Sequence, residues 1–365
     1  MIQSFVIFIS LALFITFGLH ALLFLLLTKF FDLTGRTARL RLGAGLFLLF
    51  LSFILSFFGA RFATLPFPQW FYYVSVLWLG ILINLVLVLG LGLLFAAPLK
   101  SLSVRIDLRS FGFILLGLAA AIILYGLYQA GNINIKHIHV PIKNLPSSWK
   151  GKKIAHISDL HLGILNQEGL ARRISEKINT QNVDLVCITG DLFDGTGDHL
   201  ADSVEPFNRI RVPIYYVTGN HETYLGLSRA FEALKKTNFT ILRDEIVDLG
   251  GIQLVGLDFP PRGRRKNPEP VLKKIVPSKP AILLYHEPSN REIAAEHHIS
   301  LQLSGHTHNG QFWPIQIFTH LIYKEYAYGL HQIGDFFIYT TSGVGTWGPP
   351  MRIGSTPEIA IITLR

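Results

Sequence analysis

Four long apolar stretches fill the first third of the chain, at about residues 4–27, 42–60, 70–97 and 111–130. A helix needs about 20 residues to cross a hydrocarbon core of roughly 30 Å, so each stretch predicts a membrane span. From about Ile133 the pattern changes to short apolar runs alternating with amphipathic segments, which predicts an α/β domain. Strands are expected over 153–157, 185–189, 214–218, 252–257, 281–285, 301–303, 336–340 and 359–363, and helices over 167–179, 227–236 and 290–297. The pattern divides the chain into a four-helix transmembrane region (1–130), a linker with a first strand (131–151) and a globular domain (152–365). Between 261 and 270 a basic, proline-containing run, PRGRRKNPEP, reads as a solvated surface loop.

Composition adds little to that division but excludes several functions. The net charge of +9 is scattered and falls partly in the short loops between apolar runs, where it would face phospholipid headgroups, so nucleic-acid binding is not expected. Cys187 is the only cysteine, which rules out an intrachain disulfide and a zinc–cysteine cluster, and its setting in VDLVCIT predicts burial. The first stretch has no basic residue ahead of it and three more follow, which argues against a cleavable signal peptide. Trp70, Tyr72 and Tyr73 open the third stretch, where aromatic rings favour the membrane interface. Besides tyrosine, the only ionisable group inside the stretches is His20. Transport requires several facing polar groups, so anchoring is the expected role of the helices and a hydrogen bond to a neighbouring helix that of His20.

The basic residues of the loops predict a sidedness. Lys29, Arg36, Arg39 and Arg41 belong to the first loop and Lys100, Arg105 and Arg109 to the third, whereas the second has only Arg61. Positive loops stay in the cytoplasm, which puts the domain after the fourth span on the outer face of the cell membrane. Lys136, Lys143 and Lys150 pull the other way, although they lead into a large domain where the rule weakens.

Five polar motifs each follow an expected strand, at the strand ends where α/β domains collect ligands. They are Ser158-Asp159-Leu160-His161, Gly190-Asp191-Leu192-Phe193-Asp194, Gly219-Asn220-His221-Glu222, Tyr285-His286-Glu287 and Gly305-His306-Thr307-His308-Asn309-Gly310-Gln311. Carboxylate, imidazole and amide donors without thiolate suit divalent Mn, Fe or Zn. Residues two apart on an extended segment point the same way, so Asp159 and His161 can reach one ion together. Any one motif alone is unremarkable: a Gly-Asp pair is commonly a turn, and Asn220 could simply cap a helix. All five in order point to a metal centre.

This series, DLH, GDLFD, GNHE, YHEP and SGHTHNGQ, resembles the calcineurin-like metallophosphoesterase family, and the ending SGVGTWGPPMRIGSTPEIAIITL is similar to its bacterial membrane-associated branch. The resemblance implies a four-layer sandwich of two mixed sheets flanked by helices. It also implies two divalent ions, one held by Asp159, His161, Asp191 and His308 and the other by Asp191, Asn220, His286 and His306. Such a pair clamps a phosphoryl group, with no covalent enzyme nucleophile needed. His221, beside a ligand but assigned to neither ion, is expected to protonate the leaving oxygen or stabilise the phosphate. Asn309, where the branch often has glycine, and Arg352 are expected substrate contacts, with a surface salt bridge as the plainer role for Arg352. The expected substrate is a phosphorylated small molecule or lipid. Some members of the branch cleave the pyrophosphate of UDP-2,3-diacylglucosamine on the cytoplasmic face, and a non-catalytic scaffold or sensor would have lost ligands that this chain retains.

Overall fold

The structure, a computed structural model, describes residues 2–62, 68–101, 105–195, 199–261 and 264–365. It divides into two units, Met1–Tyr128 with Gly348–Met351, and Gln129–Trp347 with Arg352–Arg365.

The first unit is built on α1 (Ile2–Phe30), α2 (Arg36–Phe62), α3 (Gln69–Ser101) and α4 (Leu108–Gly131). All four are long and apolar enough to cross a membrane. Leu23, Leu26, Phe30, Leu82, Leu89 and Leu115 pack inward, while Phe14, Leu94, Ile114 and Leu124 are exposed. A helix apolar on both faces fits a lipid surround. A side chain at Gly92 would collide with Leu115, so α3 and α4 approach closely there. His20 meets its expectation: its Nε2 accepts from Trp78 Nε1 on α3 at 3.0 Å, and its Nδ1 lies 2.8 Å from the Thr16 carbonyl.

In the second unit the strands are β1 (Asn134–Val140), β2 (Lys153–Ile157), β3 (Leu185–Thr189), β4 (Ile214–Val217), β5 (Phe239–Ile241) and β6 (Glu245–Asp248), then β7 (Gln253–Gly256), β8 (Ala281–Leu284), β9 (Ile299–Ser304), β10 (Gly329–Ile333), β11 (Phe336–Thr340) and β12 (Glu358–Leu364). Its helices are α5 (Glu168–Asn179), α6 (Leu200–Val204), α7 (Asn220–Leu225), α8 (Leu227–Leu234), α9 (Glu269–Leu272), α10 (Arg291–Glu296) and α11 (Ile315–Tyr323).

Two six-stranded mixed sheets form, in the orders β1-β12-β2-β3-β4-β5 and β10-β11-β9-β8-β7-β6. β3 and β11 are buried along their whole length, as the unbroken apolar runs LVCIT and FFIYT require of strands inside a largely parallel sheet. The sheets face each other across a core that includes Leu185, Cys187, Val217, Ile282, Leu301 and Leu303. Ile174 and Ile178 of α5 and Leu234 of α8 cover the first sheet, and Leu272 of α9 and Ala294 of α10 cover the second. The layers therefore run helix, sheet, sheet, helix, the four-layer sandwich expected above.

Two expectations need correction, and one apolar helix adds to them. The strand expected over 301–303 is twice as long, because Ile299 and Ser304 also join the ladder to β8 and β11. The loop expected over 261–270 ends early, since Glu269 already opens α9; residues 262–263 lie outside the described residues. Helix α11 was not foreseen.

One buried group is expected to make the domain acid-sensitive. His156 on β2 bonds Thr189 Oγ1 through Nε2 at 2.8 Å, and burial pushes its imidazole down to about 3 from an ordinary 6.5. Below the ordinary value the unfolded chain takes up this proton and the folded chain does not. Stability should therefore fall as the pH drops from 6.5 towards 3, by up to about 1.4 kcal/mol per pH unit. His156→Gln should lose that slope. Melting curves of the two proteins in detergent should diverge on the acid side, with the wild type falling faster; parallel curves would contradict a neutral buried ring.

Candidate metal centre

Neighbouring parallel strands bring the motifs together. β2, β3 and β4 lie side by side in the first sheet and lead to Asp159 and His161, to Asp191, and to Asn220 at the start of α7; β8 and β9 lie side by side in the second and lead to His286 and to His306 and His308. The turns are tight. Asp159, His161, Asp191, His306 and His308 all have positive φ, between 49° and 71°, a conformation that costs an ordinary residue about 1–3 kcal/mol and persists only where the surroundings enforce it. Gly190 has φ 88°, and a Cβ there would come within 2.6 Å of the Gly219 nitrogen and 2.8 Å of His286 Nδ1. At Gly190 the missing Cβ is what admits this close backbone approach.

The donors form two groups. In one, His161 Nε2 lies 2.9 Å from His308 Nε2, and His308 Nε2 lies 3.5 Å from Asp159 Oδ1. In the other, His306 Nδ1 lies 2.9 Å from Asn220 Oδ1 and 3.2 Å from His286 Nε2, which is itself 3.1 Å from Asn220 Oδ1. One atom, Asp191 Oδ2, reaches both groups, at 3.9 Å from His161 Nε2 and 3.2 Å from His286 Nε2. His286 Nδ1 donates to the Thr189 carbonyl at 2.7 Å, which turns Nε2 towards the cluster.

Electrostatics point the same way. Burial raises the Asp191 carboxyl, but His286, His221 and His161 outweigh it and hold it well below the usual carboxylate range. Burial lowers His286, and Asp191 and Asp159 overcome it to push the imidazole up to about 10. Burial keeps His306 down at about 3, and burial with the neighbouring His161 and Arg352 holds His308 well below its ordinary value. The carboxylates thus draw positive charge into a pocket where His306 and His308 keep free lone pairs. Paired imidazole nitrogens about 3 Å apart beside buried carboxylates fit a cation. Three metal-capable groups arise from these side chains: Asp159 with His161 and His308, Asp191 with His286 and His306, and His161 with Asp194 and His221.

Residues 152–310 match the family described as calcineurin-like phosphoesterase. The chain is 39% identical over 223 residues to an uncharacterized metallophosphoesterase of Helicobacter pylori, covering 59% of this chain and 60% of that one. It is 32% identical over 271 residues to a zebrafish (Danio rerio) transmembrane protein with metallophosphoesterase domain, covering 68% and 61%. An uncharacterized metallophosphoesterase of Aquifex aeolicus is 30% identical over 222 residues, covering 58% of this chain and 85% of its own length. The chain belongs to the calcineurin-like metallophosphoesterase family. It spans about 60% of the length of the Helicobacter relative.

In this metallophosphoesterase all seven expected ligand residues converge. His221 stands beside them, its ring 4.5 Å from that of His161, and its Nδ1 donates to the Asp194 carbonyl at 3.0 Å, a bond that does not engage Nε2. Asn309 is turned elsewhere: its Oδ1 meets His320 Nε2 at 3.2 Å. Its φ of 46° explains how it replaces glycine, since asparagine tolerates the left-handed region better than most residues.

Arg352 departs from both its expected roles. It is fully buried, with Nη1 donating to the Ser342 carbonyl and Ser355 Oγ, each at 2.8 Å, and Nη2 to the Gly345 carbonyl at 2.6 Å. Its donors serve carbonyls of the 342–345 turn and the Ser355 hydroxyl, and Nη2 lies 3.4 Å from His308 Nδ1, so it forms no surface salt bridge and is not itself exposed. Two residues quoted in the motifs but given no role also matter. Asp194 Oδ1 lies 3.4 Å from His161 Nδ1, at ion-pair distance from a ligand ring. Glu222, fully buried, accepts from the backbone nitrogens of Asp191 (3.0 Å), Phe193 (3.0 Å) and Gly219 (2.6 Å), tying two ligand turns together. Its position three residues after Gly219 is the signature of a helix-capping glutamate, a signal present in the sequence.

Proposed function

We propose that this chain hydrolyses phosphoester or pyrophosphate bonds of a lipid-linked or envelope-derived substrate, using two divalent ions. The carrying observation is that Asp191 Oδ2 joins two sets of converging donors. Asp159, His161, Asp191 and His308 would hold one ion and Asp191, Asn220, His286 and His306 the other. When bound, such ions supply positive charge against a phosphoryl group and acidify water near neutral pH. Asp191 Oδ1 also accepts from the His221 backbone nitrogen at 2.9 Å, so the same carboxylate fixes the proposed acid relative to the metal centre. His221 Nε2 would give its proton to the leaving oxygen. The membrane helices, covalently joined to the domain, support a substrate that resides in or at the bilayer. The direct test is turnover of a panel of lipid phosphates, phosphodiesters and UDP-sugars by the purified full chain with added Mn, against the same protein stripped by chelator. Turnover of none of them, with metal restored, would reject the proposal.

The loop charges favour the outer face of the cell membrane for this domain. Protease added to intact spheroplasts should then digest the C-terminal domain. Full protection until the membrane is permeabilised would reverse the assignment and favour a second reading, cleavage of the pyrophosphate of UDP-2,3-diacylglucosamine in the cytoplasm, for which Lys136, Lys143 and Lys150 speak.

A further inference from the structure

Helix α11 is built of Ile, Phe, Leu and Tyr around three polar residues, yet none of its residues is buried. Trp313, Ile315, Ile317, Phe318, Leu321 and Ile322 stand in solvent, with exposures rising from 38% at Ile315 to 72% at Leu321. A helix this short gains little from propensity and depends on burying an apolar face, which α11 does not do within the domain. It is held by its polar side. His320 meets Asn309 at 3.2 Å, the Tyr323 hydroxyl donates to Glu287 Oε1 at 3.2 Å, and Gln316 donates to the Gly354 carbonyl. A side chain at Gly310 would strike the Gln316 backbone, so the turn bearing His306 and His308 lies directly against the helix. The apolar side is thus rigidly presented next to the metal centre.

What covers that side follows from charge and connectivity. From Phe312 to Tyr323 there is no Asp, Glu, Lys or Arg, and the exposed pair Lys324 and Glu325 comes next. Two residues separate the end of α4 at Gly131 from the start of β1 at Asn134, so the domain cannot leave the bilayer that the helices cross. An uncharged apolar face bounded by a charged pair suits a lipid interface, with Lys324 free to meet headgroup phosphates, and tethering keeps the local concentration of that surface high.

We propose that α11 lies in the membrane interface, with Phe318, Leu321 and Ile322 among the acyl chains, Trp313 at headgroup level and Lys324 towards anionic headgroups. The mouth of the metal centre then opens in the headgroup layer, and a substrate phosphate need not leave the bilayer to be reached. That consequence rests on the proposed function; the placement of the helix does not.

The test uses the full chain in nanodiscs of phosphatidylethanolamine and phosphatidylglycerol, with the fluorophore NBD on Phe318→Cys or Leu321→Cys, and Lys235→Cys on the exposed end of α8 as reference. Buried Cys187 makes the unsubstituted chain the blank. Doxyl-labelled lipid should quench the labels at 318 and 321 by about twofold or more and leave the one at 235 unchanged. Equal, weak quenching at all three positions would overturn the proposal, as would excimer emission from pyrene at 318, which would mark a second copy of the chain as the occupant. No substrate enters this measurement, so its failure and failure of the hydrolytic reading are separate results.

Discussion

Asp191→Ala is expected to lower phosphoester hydrolysis by roughly 10³-fold or more and to empty the centre of metal. The Asp191 carboxylate does three things at once: Oδ2 faces His286 at 3.2 Å, the same oxygen faces His161 at 3.9 Å, and Oδ1 anchors the backbone of His221 at 2.9 Å. Without it, two cations would sit close together with their repulsion uncompensated, and each would lose a ligand. Metal analysis and turnover on the same preparation should fall together, and Asp191→Asn, which keeps the shape, should fail nearly as badly because the charge is gone. Wild-type turnover persisting in a chelated, metal-free preparation would sink the two-metal reading.

His221→Ala should have the second largest effect, a loss of roughly 10²–10⁴-fold in turnover with metal content largely retained. Its Nδ1 is committed to the Asp194 carbonyl, and neither nitrogen is required by the proposed ligand sets. Substrates whose leaving group is already a weak base need no proton, so an activated nitrophenyl ester should lose far less than an alkyl ester. A variant that sheds metal in proportion to its activity would make His221 a ligand, an outcome the grouping of His161, Asp194 and His221 makes specific.

Most of the scaffold could be read from the sequence because its central strands are buried on both faces. β3 and β11 appear as unbroken apolar runs, and the motifs following the strands had only to be brought to one place. β5 and β6 escaped notice because they are short sheet-edge strands without a fully buried face. α11 failed for the opposite reason: apolar periodicity is informative when one face is buried, and here no residue is. At the centre, residue types located the donors, but their roles beyond coordination depend on contacts between distant segments. Asp194 meets His161 from 33 positions away, as does Glu222 the nitrogens of Asp191 and Gly219 from 31 and 3 positions away. Arg352 was misjudged because a lone arginine in a loop is usually exposed, and only the fold shows that carbonyls of the 342–345 turn enclose it.

The proposed ligands come from both sheets, Asp159, His161, Asp191 and Asn220 from the first and His286, His306 and His308 from the second. An ion seated among them would tie the two sheets together at that end, so stripping the metal should loosen first the turns that follow β2, β3, β8 and β9, visible as faster amide exchange there.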